Sequence, residues 1–346
     1  MKAMFYLGHP AHFHMLKNVF PVLNERGIET HILIKKKDVL ETLLKASGFP
    51  YTNIQPEGRK STTFGIIKGL AERDWEIFKW CRKNKPDVLV GTSVEITHVG
   101  KLLGITSIVL NEDDADQVPR FAKLGYPFMT RLLAPVSCRV GKWGHKTTQY
   151  EGYHELAYLH PDHFQFDPTI KTKFGLAEKY FILRFSGLDA HHDDGKTGIN
   201  DELALNIISL LLPHGSVYIT SERPLRPDLD KYRMPVPPEH IHQVMAGASM
   251  FIGDSQTMAA EAAVLGVPSV RFNDFVGKLG YLNELQDLGL TRGVETDKED
   301  LLIEVIKGYL NLPDGEMQRR KATMLAQKIN VAEFFADVIT EEAKRA

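Results

Sequence analysis

The sequence predicts an α/β fold with two successive domains, each with a parallel sheet, and the two sheets face a shared cleft. Three observations lead to this expectation. The length of 346 residues exceeds that of a typical single core and suits two domains. Short apolar runs alternate with stretches of helical periodicity, a pattern typical of parallel sheets with helices on both faces. The alternation weakens in mid-chain and then starts again.

The first half of the chain alternates strand and helix from its beginning. The apolar run Ala3 to Leu7 is typical of a strand, and about five apolar residues are too few for a signal sequence or a membrane span. Helical spacing then continues to Gly27, a residue type that commonly ends helices. The elements expected next are a strand at 28–34, helices at 38–47 and 66–84, a strand at 88–91, a helix at 94–103 and a strand at 105–110.

The domain junction is expected between Ala115 and about Lys171, where prolines interrupt a weak periodicity. The predicted domains are residues 1–170 and 171–346. The second series is expected to contain strands at 180–185, 217–220, 250–253 and 269–272 and helices at 202–212, 240–246 and 257–265. The tail from residue 298 is predicted to be mostly helical, and its last helices are candidates for packing back on the first domain.

The composition favours an ordinary globular protein, with 43% hydrophobic and 25% charged residues. A formal charge of −2 gives no long-range attraction for nucleic acid, so no such partner is expected. Cys81 and Cys138 lack CxxC spacing, which argues against a disulfide framework or a thiolate zinc site and fits a cytoplasmic location. No transmembrane segment is predicted, whereas peripheral membrane contact, a monomer and a homodimer all stay open.

Residues 253–268, GDSQTMAAEAAVLGVP, form the most informative stretch. Asp254 and Ser255 suit the start of a helix directly after a strand, where free N–H groups and the helix dipole favour an anion. Thr257 and Glu261 are four residues apart and therefore share one helix face. A carboxylate at that position could accept two ribose hydroxyls. The alternative is a plain capped helix with a solvated glutamate.

This stretch resembles the donor-binding segment of GT-B glycosyltransferases and of the non-hydrolysing UDP-N-acetylglucosamine 2-epimerases. The likeness is strongest to the transferase that adds N-acetylglucosamine in peptidoglycan synthesis, which the segments 8–14, 85–112 and 242–249 also resemble. Residues 150–161, YEGYHELAYLHP, are similar to an uncharacterised prokaryotic branch, a domain of unknown function. The resemblance implies two Rossmann-like domains and a nucleotide-sugar ligand.

By the same resemblance, phosphate contacts fall to Ser255, Gln256 and Thr257, and the ribose contact falls to Glu261. A UDP-sugar would be the substrate, with no further cofactor and no metal required. In the second domain, the expected partners of the diphosphate are Arg184, Ser186 and Gly187, since a guanidinium could neutralise the leaving group. The alternative for Arg184 is a surface ion pair, and the loop 220–223 is a weaker candidate near the base or phosphates.

Candidate catalytic groups follow the predicted strands of the first domain, because ligands of open α/β sheets lie beyond the carboxyl ends of the strands. His12 is the first choice as general base and His14 the second, since an unperturbed histidine has a pKa of about 6.5. Glu112 and Asp113 are carboxylates that could act as base or bind a sugar hydroxyl. The alternatives are histidines that cap or pack on a helix, and an acidic helix cap.

Three further patterns do not predict a site. The acidic and histidine residues of 189–194 are adjacent in a predicted loop and so are not expected to converge on a metal. Residues 194–197, DGKT, lack the first glycine of a P-loop, and the strand before them ends too early. A barrel with zinc bound by His12 and His14 conflicts with the two-domain pattern.

The leading hypothesis is therefore metal-independent transfer of a sugar from a UDP-sugar to the hydroxyl of an unknown acceptor. The alternatives are epimerisation at sugar C2 and non-catalytic binding of a nucleotide-sugar. Non-catalytic binding is slightly favoured by the loop after the first strand, which is glycine-rich in GT-B transferases but has only Gly8 in this sequence. A nicotinamide-dependent oxidoreductase is disfavoured, since no GxGxxG follows a predicted strand.

Overall fold

The computed structural model describes residues 1–37, 39–55, 63–187 and 198–345, with the backbone alone for residues 63–67. The chain divides into two compact units. The first unit comprises Met1–His163 and Ile329–Ala346, and the second comprises Phe164–Lys328. Each unit is an α/β domain with its own parallel sheet, so the predicted fold class of two parallel-sheet domains is confirmed.

The first unit contains a parallel sheet that has seven strands within the described residues, in the order β3-β2-β1-β4-β5-β6-β7. Its strands are β1 (Lys2–Leu7), β2 (Glu29–Lys35), β3 (Tyr51–Gln55), β4 (Val88–Gly91), β5 (Thr106–Leu110), β6 (Arg131–Pro135) and β7 (Thr147–Tyr150). Its helices before the second unit are α1 (Pro10–Leu16), α2 (Val19–Glu25), α3 (Leu40–Ser47), α4 (Thr63–Asn84), α5 (Val94–Leu103), α6 (Pro119–Leu124) and α7 (Leu156–Leu159), with a 3₁₀ turn at Gly141–Lys146.

The second unit contains a parallel sheet that has five strands in the part of the chain described, in the order β12-β11-β10-β8-β9. Its strands are β8 (Tyr180–Phe185), β9 (Ser216–Ser221), β10 (Met250–Gly253), β11 (Ser269–Phe272) and β12 (Thr291–Val294). Its helices are α8 (Thr169–Lys173), α9 (Asp201–Leu211), α10 (Pro227–Asp230), α11 (Ile241–Ala246), α12 (Gln256–Leu265), α13 (Gly280–Asp287), α14 (Glu299–Leu310) and α15 (Glu316–Leu325), with a 3₁₀ turn at Pro238–His240.

The last helix, α16 (Val331–Arg345), belongs to the first unit. Just before this helix, the Ile329 N–H donates a hydrogen bond to the Glu151 carbonyl at 2.9 Å. Glu342 is buried and accepts from Arg131 of β6 at 2.8 Å. The apolar face of α16, with Val331, Phe335 and Ile339 fully buried, covers one face of the first sheet.

The structure places the boundary between the units after His163, whereas the sequence analysis placed it after residue 170. The physical reason is Gln243 of α11, whose side chain makes two hydrogen bonds to the backbone between residues 163 and 170. It accepts from Asp167 N–H at 2.8 Å and donates to the Gln165 carbonyl at 2.9 Å. Residues from Phe164 onward are thereby tied to the second unit.

The first predicted helix is divided in the structure into α1 and α2. Pro21 lies in the first turn of α2, where a missing N–H costs no intrahelical hydrogen bond. In one continuous helix, Pro21 would interrupt the intrahelical hydrogen bonds. The first helix therefore ends before this proline, and α2 begins as a separate helix. Strands β3, β6, β7 and β12 were not predicted, because polar residues or a proline leave each of them without the continuous apolar run that is typical of a buried strand.

Gly91 ends β4 at a point of close approach between two strands. A Cβ atom at this position would lie 2.7 Å from the carbonyl oxygen of Tyr6 in β1, a distance that real side chains do not reach. The absence of a side chain therefore lets β4 and β1 pair up to their carboxyl ends. Among the helices formed by described residues, none is long and apolar enough to traverse a bilayer.

Candidate functional site

In the second unit, the turn between β10 and α12 lies at the carboxyl edge of the sheet. Ser255 is extended and caps the helix, since its Oγ accepts from the N–H of Met258 at 3.4 Å. Gln256 and Thr257 follow in the first turn and are half-buried. The first N–H groups of a helix have no intrahelical acceptor, so this turn has the donors and the dipole that favour an anion.

Asp254 is turned inward and holds neighbouring loops together. Its Oδ1 accepts from Ser186 N–H at 2.7 Å, and its backbone carbonyl accepts from Asn273 Nδ2 at 2.9 Å. Burial is the main cause that raises the pKa of this carboxyl. A Cβ at Gly198 would lie 2.6 Å from Asp254 Oδ2, so the backbone there passes close to the carboxylate. Asp254 and Ser186 therefore position the strand ends of β8, β10 and β11 relative to one another.

Glu261 is 5% exposed, so the solvated glutamate of the sequence-based alternative is not what the structure contains. Its Oε1 lies 3.0 Å from Nε2 of His242, which is itself buried on α11. The pair joins α11 to α12 and fixes the carboxylate about two turns into the helix. His242 belongs to the family-like segment 242–249, but no local pattern in the sequence marks it as the partner of Glu261.

The small residues of α12 allow the helix to lie directly on the sheet. Ala259, Ala260, Ala262 and Ala263 are all fully buried. Ser269 at the start of β11 donates its hydroxyl to the Ala259 carbonyl at 2.8 Å. Gly266 ends the helix in the left-handed conformation, with φ of 78°. The turn at Ser255 is therefore held rigidly at the edge of the sheet.

Arg184, near the end of β8, is paired with Glu222, which follows β9. Arg184 Nη1 donates to Thr220 Oγ1 at 2.9 Å, and Nη2 donates to Glu222 Oε1. The other carboxylate oxygen accepts from Gly187 N–H at 2.9 Å. The ion pair that the sequence analysis held as an alternative is thus present, although the Arg184 side chain is only 13% exposed.

In the first unit, His12 lies beside the carboxyl ends of β1 and β4. Its Nδ1 accepts from Gly8 N–H at 3.1 Å, and its Nε2 lies 2.6 Å from the hydroxyl of Thr92. Burial, with smaller contributions from His9 and Lys35, lowers the pKa of His12 to about 3. The ring is therefore neutral near pH 7, and the expectation of an ordinary histidine pKa is wrong for this residue.

His14 and His9 have local roles in α1. The His14 ring packs against Tyr158 and against Phe13, with ring centroids 5.7 Å apart in both pairs. His9 caps α1, because its Nδ1 accepts from Ala11 N–H at 3.2 Å. These contacts are the capping and packing roles named as alternatives for histidines of this segment.

Glu112 lies next to His154, a residue that sequence analysis did not select. Glu112 Oε2 accepts from His154 N–H at 3.2 Å and is 3.6 Å from Nδ1 of the same residue. Burial lowers the pKa of His154 to about 3, so this ring is also neutral near pH 7. His154 also contributes to the lowering of the His12 pKa, so the two rings interact electrostatically.

The two aspartates after Glu112 have different environments. Asp114 is fully buried and accepts from Arg139 N–H, so it fixes the loop after β6. Burial, followed by the charge of Asp114, raises the pKa of Asp113. Asn111 orders the same turn by donating to the Asp113 carbonyl at 3.1 Å and to the Tyr126 hydroxyl at 2.8 Å. This cluster therefore has structural roles besides any contact with a ligand.

The loop residues considered above as metal ligands, Asp189, His191, His192, Asp193 and Asp194, lie outside the described residues, as does the segment 194–197. Within the described ranges, no group of three or more metal-ligating side chains is brought together.

Two parallel-sheet α/β units are the fold class that GT-B-like proteins share. Residues 2–279 match the family described as Protein of unknown function (DUF354). Because this match spans most of the chain, the protein belongs to that family, and the predicted resemblance to a domain of unknown function is confirmed. Among curated proteins, none has a sequence that matches the chain.

Solved structures support the fold assignment over the whole chain. The UDP-GlcNAc 2-epimerase from Methanocaldococcus jannaschii has a TM-score of 0.69 at 17% identity, with 99% of this chain and 100% of that chain covered. The UDP-GlcNAc 2-epimerase from Neisseria meningitidis, bound to UDP-GlcNAc, has a TM-score of 0.68 at 14% identity, with 100% of both chains covered. The glycotransferase of kitacinnamycin has a TM-score of 0.60 at 12% identity, with 99% of both chains covered.

The depressed pKa of His12 predicts that its ring does not titrate between pH 5 and pH 8. A pH series of two-dimensional NMR spectra of the histidine ring resonances measures this directly. His98 is the internal control, because its hydrogen bond to Asp74 raises its pKa above 6.5. A folded pKa below the unfolded value also means that the contribution of His12 to stability is complete above about pH 6.5 and is lost as pH falls towards 3. A His12 midpoint above pH 5 would contradict the environment described here.

Proposed function

We propose that the protein is a metal-independent glycosyltransferase that takes a sugar from a UDP-sugar and transfers it to an acceptor hydroxyl. The observation that carries the proposal is the Ser255-capped start of α12, which presents its first N–H groups at the carboxyl edge of the second sheet. A structure of the same fold, the M. jannaschii epimerase, was solved in complex with UDP-GlcNAc and UDP. That complex supports a uridine nucleotide as the ligand class.

In this proposal the turn at Ser255, Gln256 and Thr257 binds the diphosphate. The helix dipole and the free N–H groups stabilise the charge that develops on the leaving UDP. Arg184 and Gly187 add a guanidinium and a main-chain N–H near the ends of β8 and β9. The charge of the leaving group is therefore met by protein donors, with no metal ion assigned to this role.

Glu261 is proposed to bind the ribose hydroxyls. His242 holds the carboxylate through a hydrogen bond of 3.0 Å, and both residues are buried. A carboxylate has lone pairs for several donors, so Glu261 can keep His242 while it accepts from a ligand hydroxyl. The pair would act as one preorganised acceptor.

For the first unit we propose Glu112 as the group that activates the acceptor hydroxyl. His12 is a weaker base than an ordinary histidine, because its pKa is lowered to about 3. A neutral imidazole still donates or accepts hydrogen bonds, so His12 and Thr92 are proposed to orient the acceptor. His154 holds the Glu112 carboxylate through its backbone N–H.

The second candidate function is epimerisation at C2 of a UDP-sugar, by elimination and re-addition. It is favoured by the likeness in fold to two epimerases over the full chain. That chemistry needs several carboxylates and a histidine around the sugar, and Glu112, Asp113 and His12 are the residues here that could supply them. Both candidates use the same nucleotide site, so they differ only in the chemistry at the sugar.

Glu261→Gln is expected to weaken UDP binding on the order of tenfold, because a charged acceptor is replaced by a neutral one. Isothermal titration calorimetry with UDP measures the dissociation constant, and thermal unfolding checks that the variant is folded. Glu316→Gln is the matched control, since Glu316 lies in the same unit and is also hydrogen-bonded, to Arg319 and Arg320. Unchanged UDP affinity in a folded Glu261→Gln protein would remove the ribose assignment.

Incubation of UDP-N-acetylglucosamine with the protein in deuterated water, without an acceptor, separates the two reactions. Epimerisation breaks and re-forms the C2–H bond and would introduce deuterium at C2. A glycosyltransferase leaves that bond intact, and we expect no incorporation by mass spectrometry or proton NMR. Deuterium at C2 would replace the transferase proposal with the epimerase.

A further inference from the structure

The Glu222 carboxylate occupies two donors that suit a phosphate. One oxygen accepts from the Arg184 guanidinium, and the other accepts from Gly187 N–H at 2.9 Å. Carboxylate and phosphate both present two neighbouring oxygens, which is why the same donors serve either group. We use the term anion seat for the Arg184 guanidinium together with the Gly187 N–H.

The two partners of this ion pair are held very differently. The Arg184 side chain is 13% exposed and is fixed by a second bond from Nη1 to Thr220 at 2.9 Å. The Glu222 side chain is 55% exposed. A carboxylate with that exposure can rotate into solvent at little cost, whereas the guanidinium stays in place. The donors of the anion seat are therefore preformed, and the Glu222 carboxylate is the group that can move away from them.

We propose that Glu222 is a built-in competitor for the donor diphosphate. Its carboxylate fills the anion seat until a phosphate of the nucleotide displaces it. Two anions cannot share one guanidinium and one N–H without strong repulsion, so ligand phosphate and Glu222 exclude each other. This inference rests on the proposed function, since it assigns a regulatory role at the same nucleotide site.

The competition has a specific chemical signature. It acts only on ligands that place a phosphate in the anion seat. Removing the Glu222 charge should therefore raise the affinity for UDP and for inorganic pyrophosphate and leave the affinity for uridine unchanged. A residue that merely orients Arg184 would give the opposite result, because its loss would release the guanidinium and weaken phosphate binding.

The test compares the wild-type protein with Glu222→Gln and Glu222→Ala by calorimetry, with UDP, inorganic pyrophosphate and uridine as separate ligands. We expect both variants to bind UDP and pyrophosphate about two- to fivefold more tightly, the upper part of the range for an exposed ion pair. Glu178→Gln is the matched control, because Glu178 lies in the same unit, is 93% exposed and is paired with Lys171. The control should show no gain.

A background of Arg184→Gln tests whether the effect passes through the anion seat. Without the guanidinium, Glu222→Ala should no longer improve affinity, whereas an equal gain in both backgrounds would reveal a general charge effect and overturn the proposal. Unchanged or weaker pyrophosphate binding in folded Glu222 variants would overturn it as well. Failure of the proposed function gives a different result. In that case Glu261→Gln leaves the affinity for UDP unchanged, while the affinity for pyrophosphate still differs between the wild-type protein and the Glu222 variants.

Discussion

The second unit depends on the buried residue Asp254, whose carboxylate and backbone carbonyl connect the carboxyl ends of three neighbouring strands. It accepts from Ser186 after β8, and its own carbonyl accepts from Asn273 after β11. Because Asp254 directly precedes the Ser255 cap, the same residue fixes where α12 begins. A buried carboxylate is costly unless its hydrogen bonds are made, and the N–H of Ser186 supplies one of them. The proposed nucleotide site is built on this connection.

The parts of the site that could be predicted from the sequence are those that depend on interactions between residues close together in the chain. The stretch from Gly253 to Gly266 contains a strand end, a capping residue, small residues and a helix-ending glycine, all within one contiguous segment. Capping and helix termination depend on residues a few positions apart, so the start and end of α12 followed directly. The same holds for the alternation that predicted two parallel-sheet domains.

The parts that could not be predicted depend on which strands become neighbours. Glu222 meets Arg184 because β8 pairs with β9 in a register that puts Arg184 opposite Thr220. His154 meets Glu112 because the chain returns to the same sheet edge after β7. Neither partner is close in sequence, and no single-sequence pattern specifies that pairing. The low pKa of His12 is also a consequence of burial, which the sequence of the loop does not encode.

The central claim is that nucleotide phosphates bind at the turn that enters α12. Hydrogen–deuterium exchange of the full chain, with and without UDP, tests it most directly. We expect slower amide exchange in peptides that cover Ser255 to Met258 and Arg184 to Gly187, with no change in peptides around Leu312 to Gln318 near the amino ends of the same strands. Protection confined to the latter region, or exchange at Ser255 that UDP leaves unaltered under saturating conditions, would contradict it.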